Sequence, residues 1–154
     1  MRRVIIRSFI LVLAFILVKK GHATEIGSVP FYCNLNAEDV ALVSESTARG
    51  YAALKIDRAT QKLSWKLTYE GLSSPPIDIS IHGPAGRGGI AKVLKSMTAE
   101  GMKSPVVGSW TLDDGQLELL LQRQMYIEIA TDNYKNGEIR CQIERGAAEG
   151  PPRR

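Results

Sequence analysis

RGYAALKID (Arg49–Asp57) and KLSWKLTYE (Lys62–Glu70) are the stretch whose reading decides the fold. In the first run Ala52, Leu54 and Ile56 alternate with Tyr51, Ala53 and Lys55. In the second, Leu63, Trp65, Leu67 and Tyr69 alternate with Lys66, Thr68 and Glu70. Successive side chains of a strand point to opposite faces, so a period of two with one apolar face marks a half-buried strand. The connection Asp57-Arg58-Ala59-Thr60-Gln61 is polar and short, as a hairpin loop should be. Trp65 falls on the apolar face, and both it and Trp110 read as core residues.

Outward from this hairpin, strand signals recur at Val29–Leu35, Ile77–His82, Ile90–Lys95, Val106–Leu112, Met125–Thr131 and Glu138–Glu144. Most are bounded by Gly, Pro, Asn or Asp. Asn136-Gly137 is the strongest turn signal, because both residues tolerate the positive φ of tight hairpins, and it joins the last two strands. Asp113 to Gln124 is the exception: Leu117, Leu120 and Leu121 fall at helical spacing behind Asp113 and Asp114, which can cap one or two helical turns. About eight short antiparallel strands without helices of crossover length define an all-β fold, a Greek-key β-sandwich or partly closed barrel, with one short helix near 113–124.

The N-terminus sets the compartment. Arg2, Arg3 and Arg7 precede an uncharged apolar run from Phe9 to Val18 that is too short to span a ~30 Å hydrocarbon core and suits a secretory signal peptide. Gly21-His22-Ala23 supplies the small residues of a cleavage site, so residues 1–23 are expected to be removed. Lys19 and Lys20, between apolar core and cleavage site, leave an uncleaved anchor as the alternative. Cleavage takes five basic residues and no acidic one, leaving 15 Lys+Arg against 16 Asp+Glu, a net charge of −1, in residues 24–154. The sequence pI of about 9.2 is therefore mostly a property of the leader. A near-neutral chain carries no basic footprint for nucleic acid, and no second stretch suits a membrane. Residues 24–145 read as one domain, and Gly146–Arg154 as a disordered tail.

Two cysteines remain, Cys33 and Cys141. An even number in an exported chain reads as a disulfide. Two free thiols or a metal pair are the alternatives, but one cysteine at each end has no zinc-site spacing.

Ser80-Ile81-His82-Gly83-Pro84-Ala85, followed by Gly86, Gly88 and Gly89, combines with Tyr126-Ile127-Glu128-Ile129-Ala130-Thr131 and Gly137-Glu138-Ile139-Arg140-Cys141-Gln142-Ile143. With Gly71-Leu72 and Ser109-Trp110, these motifs resemble the CHRD family, named for a domain of chordin and found in many secreted bacterial proteins. The resemblance runs from about Val29 to Glu144 and is most specific at His-Gly-Pro-Ala and Gly-Glu-Ile-Arg. It implies a periplasmic or secreted all-β domain with no catalytic activity established for the class. The family pattern usually reads His-Ile-His-Gly-Pro where this chain has Ser80-Ile81-His82-Gly83-Pro84. It usually carries Asn and His at the positions of Glu128 and Ala130.

Those departures bear on metal chemistry, since a His-x-His pair with a third histidine would suit copper or zinc. Here His82 is the only histidine after the leader, and although Glu138 or Asp78 could join it, no bound metal or other cofactor is expected. A metal-binding or redox sandwich of superoxide dismutase-like architecture stays as one alternative, a hydrolase using His82 as another. Ser80 and His82 share a strand face, but no nucleophile elbow accompanies them. Gly86-Arg87-Gly88-Gly89 lacks the Lys-Ser/Thr and helix of a phosphate loop. Asp113-Asp114 suits a helix N-terminus better than acid-base work.

The candidate binding residues are therefore His82, Gly83, Arg87, Glu138 and Arg140, in a non-catalytic interaction module for an unknown protein or cell-envelope component. Glu138 and Arg140 share a face and help set register, opposite Ile139, Cys141 and Ile143. A Cys33–Cys141 bridge closes a loop of roughly 110 residues and stabilises by ~4–5 kcal/mol in the chain-entropy model. Cys33→Ser or Cys141→Ser should accordingly melt well below the wild type, whereas identical melting with and without reductant would rule the bridge out.

Overall fold

The computed structural model describes residues 27–146. The expected leader, residues 1–23, and the tail beyond Gly146 lie outside them.

Nine strands form two antiparallel sheets among the described residues. Strands β1 (Ser28–Leu35), β2 (Arg49–Asp57), β3 (Lys62–Glu70), β4 (Pro76–His82), β5 (Val93–Ser96) and β6 (Val106–Thr111) precede helix α1 (Asp114–Leu121), which is followed by β7 (Tyr126–Thr131), β8 (Ile139–Gln142) and β9 (Glu144–Arg145). One sheet runs β6-β3-β2-β1-β9 and the other β5-β4-β7-β8. The chain passes between sheets after β3, β5, β6 and β8, and β9 returns beside β1. The sheets stay distinct, so the architecture is a sandwich, and no barrel closes.

The Arg49–Glu70 hairpin forms in the register that the alternation demands, with Leu54 opposite Trp65 and Ala52 opposite Leu67. Asp57 Oδ1 shapes its loop by accepting from the Ala59 and Thr60 amides at 2.9 and 3.0 Å. The inward residues of β2 and β3 pack on Ile79 and Ile81 of β4, Ile127 and Ile129 of β7, and Ile139 of β8. Each large aliphatic buried this way contributes about 1.5–3 kcal/mol. Trp65 lies in this core, and Trp110 packs half-buried against it.

One edge is stitched. Cys33 on β1 and Cys141 on β8 form the disulfide, with their Cα atoms 5.5 Å apart, whereas sheets packed face to face stand ~10 Å apart. Asn36 bridges Arg140 through backbone hydrogen bonds in both directions, and the chain crosses at Ile143 from β8 into β9.

Three expectations shift in detail. Residues 90–92 do not join β5, because the Ala91 amide is taken by the Tyr126 hydroxyl and its carbonyl by His82. The run Glu138–Glu144 divides into two strands of different sheets at that crossing. Residues 132–138 together connect β7 to β8, and of the Asn136-Gly137 pair only Gly137 adopts positive φ, at 105°.

Helix α1 begins with a capping box: Asp113 Oδ1 accepts from the Gln116 amide at 2.8 Å, and the Gln116 side chain accepts from the Asp113 amide at 3.0 Å. Asp114 instead accepts from the exposed Gln61 amide. Asp113→Ala should therefore cost about 1 kcal/mol, and Asp114→Ala distinctly less. Urea unfolding of both variants checks the order, which equal losses would contradict.

Candidate functional site

Strand β8 and its flanks read Glu138-Ile139-Arg140-Cys141-Gln142-Ile143, and the two-residue period divides them between two environments. Ile139, Cys141 and Ile143 face the core. Glu138, Arg140 and Gln142 face outward. The ladder sets Arg140 beside Glu128 and Gln142 beside Tyr126, and continues to Ser80 beside Glu128 and His82 beside Tyr126. The outer face of the four-stranded sheet is thus a polar grid.

Such a face would be solvated on an open sheet. Here it is covered, and Ser80, Glu138 and Arg140 are each 0% exposed. The cover consists of two loops, residues 36–48 and 83–92. A buried polar group costs free energy unless hydrogen-bonded, and the grid meets that cost by holding the loops. Arg140 Nη1 donates to the Asp39 carbonyl at 3.0 Å, and Nη2 donates to the Gly86 carbonyl at 3.0 Å and to Gln142 Oε1 at 3.1 Å. Its guanidinium lies 3.8 Å over the Tyr126 ring, a cation–π contact, while its Nε has no hydrogen-bond partner. Burial lowers the guanidinium's pKa against the pull of Tyr126, Glu128 and Asp39. Gln142 Nε2 donates to the carbonyls of Ala85, Arg123 and Met125 at 2.9, 2.7 and 3.0 Å.

Glu138 anchors the far end of the 36–48 loop. Its carboxylate accepts from Ser46 Oγ at 2.7 Å, the Ser73 amide at 2.7 Å, Ser73 Oγ at 2.8 Å and Thr131 Oγ1 at 2.6 Å. Burial alone would raise its pKa, but these four donors outweigh burial and hold it below the ordinary 4.5. Glu128 shows the opposite balance. Desolvation raises its pKa despite the nearby positive charge of His82 and Arg140. Its carboxyl lies over Gly137, where a Cβ would sit 2.7 Å from Glu128 Cδ.

His82 stacks on Tyr126 with ring centroids 4.8 Å apart. Its Nδ1 lies 3.1 Å from the Ala91 carbonyl and its Nε2 lies 2.8 Å from Ser80 Oγ, which is in turn 2.5 Å from Asp78 Oδ2. A carbonyl only accepts, so Nδ1 carries a proton. The single Ser80 proton is directed to the Asp78 carboxylate. A serine nucleophile needs the reverse, its own proton passing to the histidine.

The structure brings His82, Arg140 and Glu138 onto one face, with Gly83 and Arg87 on the loop above. Gly83 is buried, and a Cβ there would come within 2.9 Å of both the Gln124 carbonyl and Leu94 Cδ1. Arg87 is the exposed member, at 64%; it pairs with Asp39 at 2.9 Å and lies 3.7 Å from Glu144. Sequence reasoning did not single out Gln142 or Tyr126, although both stand at outward positions of strands it had placed. The signal available was the run of polar residues at 138, 140 and 142. Among the described residues no three His, Cys, Asp or Glu side chains are grouped to hold a metal ion.

A stitched sandwich with loops pinned over one polar face defines a scaffold that presents loops. The chain belongs to the CHRD domain family, whose family model matches residues 31–143. Searches of curated proteins and of solved structures return no match.

Because Glu138 has a depressed pKa, its contribution to stability is present above pH 4.5 and is lost as pH falls through the folded value. Glu138→Gln should cost about 2–4 kcal/mol at pH 7, with the deficit shrinking on acidification. Unfolding measured at neutral and acidic pH tests this, and a deficit independent of pH would assign the loss to something other than the charge.

Proposed function

We propose that the chain is an exported, non-catalytic binding module whose contact surface is the outer side of the two loops over the four-stranded sheet. One observation carries the reading: Arg140, wholly buried, donates to a carbonyl of each loop, while those loops present Leu42, Val43, Ile90 and Arg87 to solvent. Binding residues concentrate on loops positioned by a rigid scaffold. Apolar tips beside an exposed cation suit a protein or cell-envelope component with an apolar and acidic face. The CHRD membership and the disulfide support export.

A hydrolase reading draws little from the Asp78-Ser80-His82 row, because Ser80 is buried and its hydroxyl is directed to a carboxylate. A superoxide dismutase-like metal site would need ligands beyond His82, and the neighbouring positions hold Ser80, Glu128 and Ala130.

Photocrosslinking residues placed at Val43, Arg87 and, as a distant control, Thr60 test the surface. In cell-envelope extract from the source, discrete adducts at Val43 and Arg87 but not at Thr60 are expected. The same adducts at all three positions, or none, would move the interface elsewhere.

A further inference from the structure

An unpaired sheet edge offers its backbone N–H and C=O groups to any other strand, which native proteins counter with short strands, charges, bulges or a cover. Three of the four edges of this sandwich carry such protection. Strand β9 has only two residues, both charged. Strand β5 has four, includes Lys95, and meets β4 with a register shift at Ile81/His82. Strand β8 is bridged to Asn36 through Arg140 and tied to β1 by the disulfide. The fourth edge, β6, has none of these. It is six residues long, VVGSWT, without a charge, and it runs along β3 without a register shift.

The ladder fixes which groups are on offer. Leu112 donates to the Gln61 carbonyl at 2.9 Å, and the alternation this sets directs the backbone groups of Trp110, Gly108 and Val106 toward β3. Those of Val107, Ser109 and Thr111 therefore point away from the sheet, and among the described residues no strand pairs with them. Their side chains lie on the outer face, where Val107 is 59% exposed.

The shape that fits this edge is the edge itself. Antiparallel pairing of two copies about a twofold axis at Ser109 sets Ser109 against Ser109 and Val107 against Thr111, so every outward backbone group is used. The neighbouring registers fail: one sets Thr111 against Pro105, which has no N–H, and the other sets Val107 against Asp113, whose amide is held by Gln116. In the fitting register Trp110 of each copy faces Gly108 of the other, in the pairs where side chains approach most closely. Trp110 packs only half-buried against the core, and an aromatic ring opposite a glycine covers the strand that the glycine leaves bare. The charges agree as well. The strand is followed by Asp113 and Asp114 and preceded by Lys103, all exposed, so antiparallel pairing sets acidic end beside basic end. Self-complementarity in hydrogen bonds, shape and charge selects a second copy over an unrelated strand. We propose that the chain forms a twofold homodimer through β6, joining two five-stranded sheets into one continuous sheet.

Sedimentation velocity of the purified chain from about 10 µM to about 1 mM, the range of weak contacts, should show a monomer–dimer equilibrium. Ser109→Lys sets like charges together on the axis and should raise the dissociation constant about tenfold or more. Ser109→Asp should do the same, and an equimolar mixture of the two variants should dimerise again. On dilute, monomeric protein both variants should melt with the wild type, because Ser109 lies on the outer face. Val43→Ser, on the loop surface, should leave the equilibrium unchanged. The proposal is overturned if the wild type stays monomeric throughout the range, if Ser109→Lys dimerises as tightly as the wild type, if the mixed variants fail to associate, or if Val43→Ser dissociates the dimer. The loop surface is tested separately, because β6 contributes no residue to it.

Discussion

A guanidinium with no exposed surface is tolerated only where its surroundings replace water, and Arg140 meets that constraint through contacts that lie far apart in the sequence. Its donors reach Asp39 and Gly86, 101 and 54 residues away, and an aromatic ring lies under its plane. Each contact is also a constraint on a loop. Removing the guanidinium would take these donors from both loop carbonyls. Cys141, the adjacent residue, faces the other way and ties the same strand to the opposite sheet. A single strand of four residues thus holds the core with one side and the loops with the other.

The two carboxylates of this face show how local donors decide the state of a buried acid. Glu138 is fully buried and Glu128 half-buried, and desolvation is the leading influence on each. Glu138 receives four hydrogen bonds from Ser46, Ser73 and Thr131, which favour the ionised form. Glu128 relies on the charges of His82 and Arg140, which do not offset its burial. Direct hydrogen bonds thus outweigh burial where nearby charges do not. The donors to Glu138 come from three separated segments, so this one carboxylate ties the 36–48 loop, the β3–β4 connection and β7 together.

Aspartate, serine and histidine in hydrogen-bonded succession invite comparison with a catalytic triad, but the order is wrong for one. The serine stands between the acid and the base rather than at the end of the relay. Its hydroxyl is covered and committed to the carboxylate. The row instead links β4 to the 83–92 loop through the Ala91 carbonyl, the same task that Arg140 and Gln142 perform from β8. Structural polarity of this kind accounts for the His82-Gly83-Pro84 turn: the histidine fixes the loop's return, and the glycine admits the chain where any Cβ would collide.

Local pattern determined much of the architecture. The Arg49–Glu70 alternation gave its hairpin because neighbouring strands need only a short polar loop and one shared apolar face. Asp113 and the leucines behind it sufficed for the helix, since capping and helical spacing act within a few residues. Two cysteines near the ends of the chain were enough to suggest the bridge. The role of Arg140 and Glu138 was not legible, because alternation shows that they leave the core but not what lies over them. That depended on two loops with no periodic signal closing on the outer face. The cross-strand row Asn34, Tyr51 and Thr68 was equally hidden, because it forms only through the pairing register of three strands. Sequence by itself set which residues turn inward, because that choice is local and repeats every two residues. Tertiary structure alone decided which outward residues meet water and which are sealed beneath a loop, because that depends on chain segments brought together from a distance.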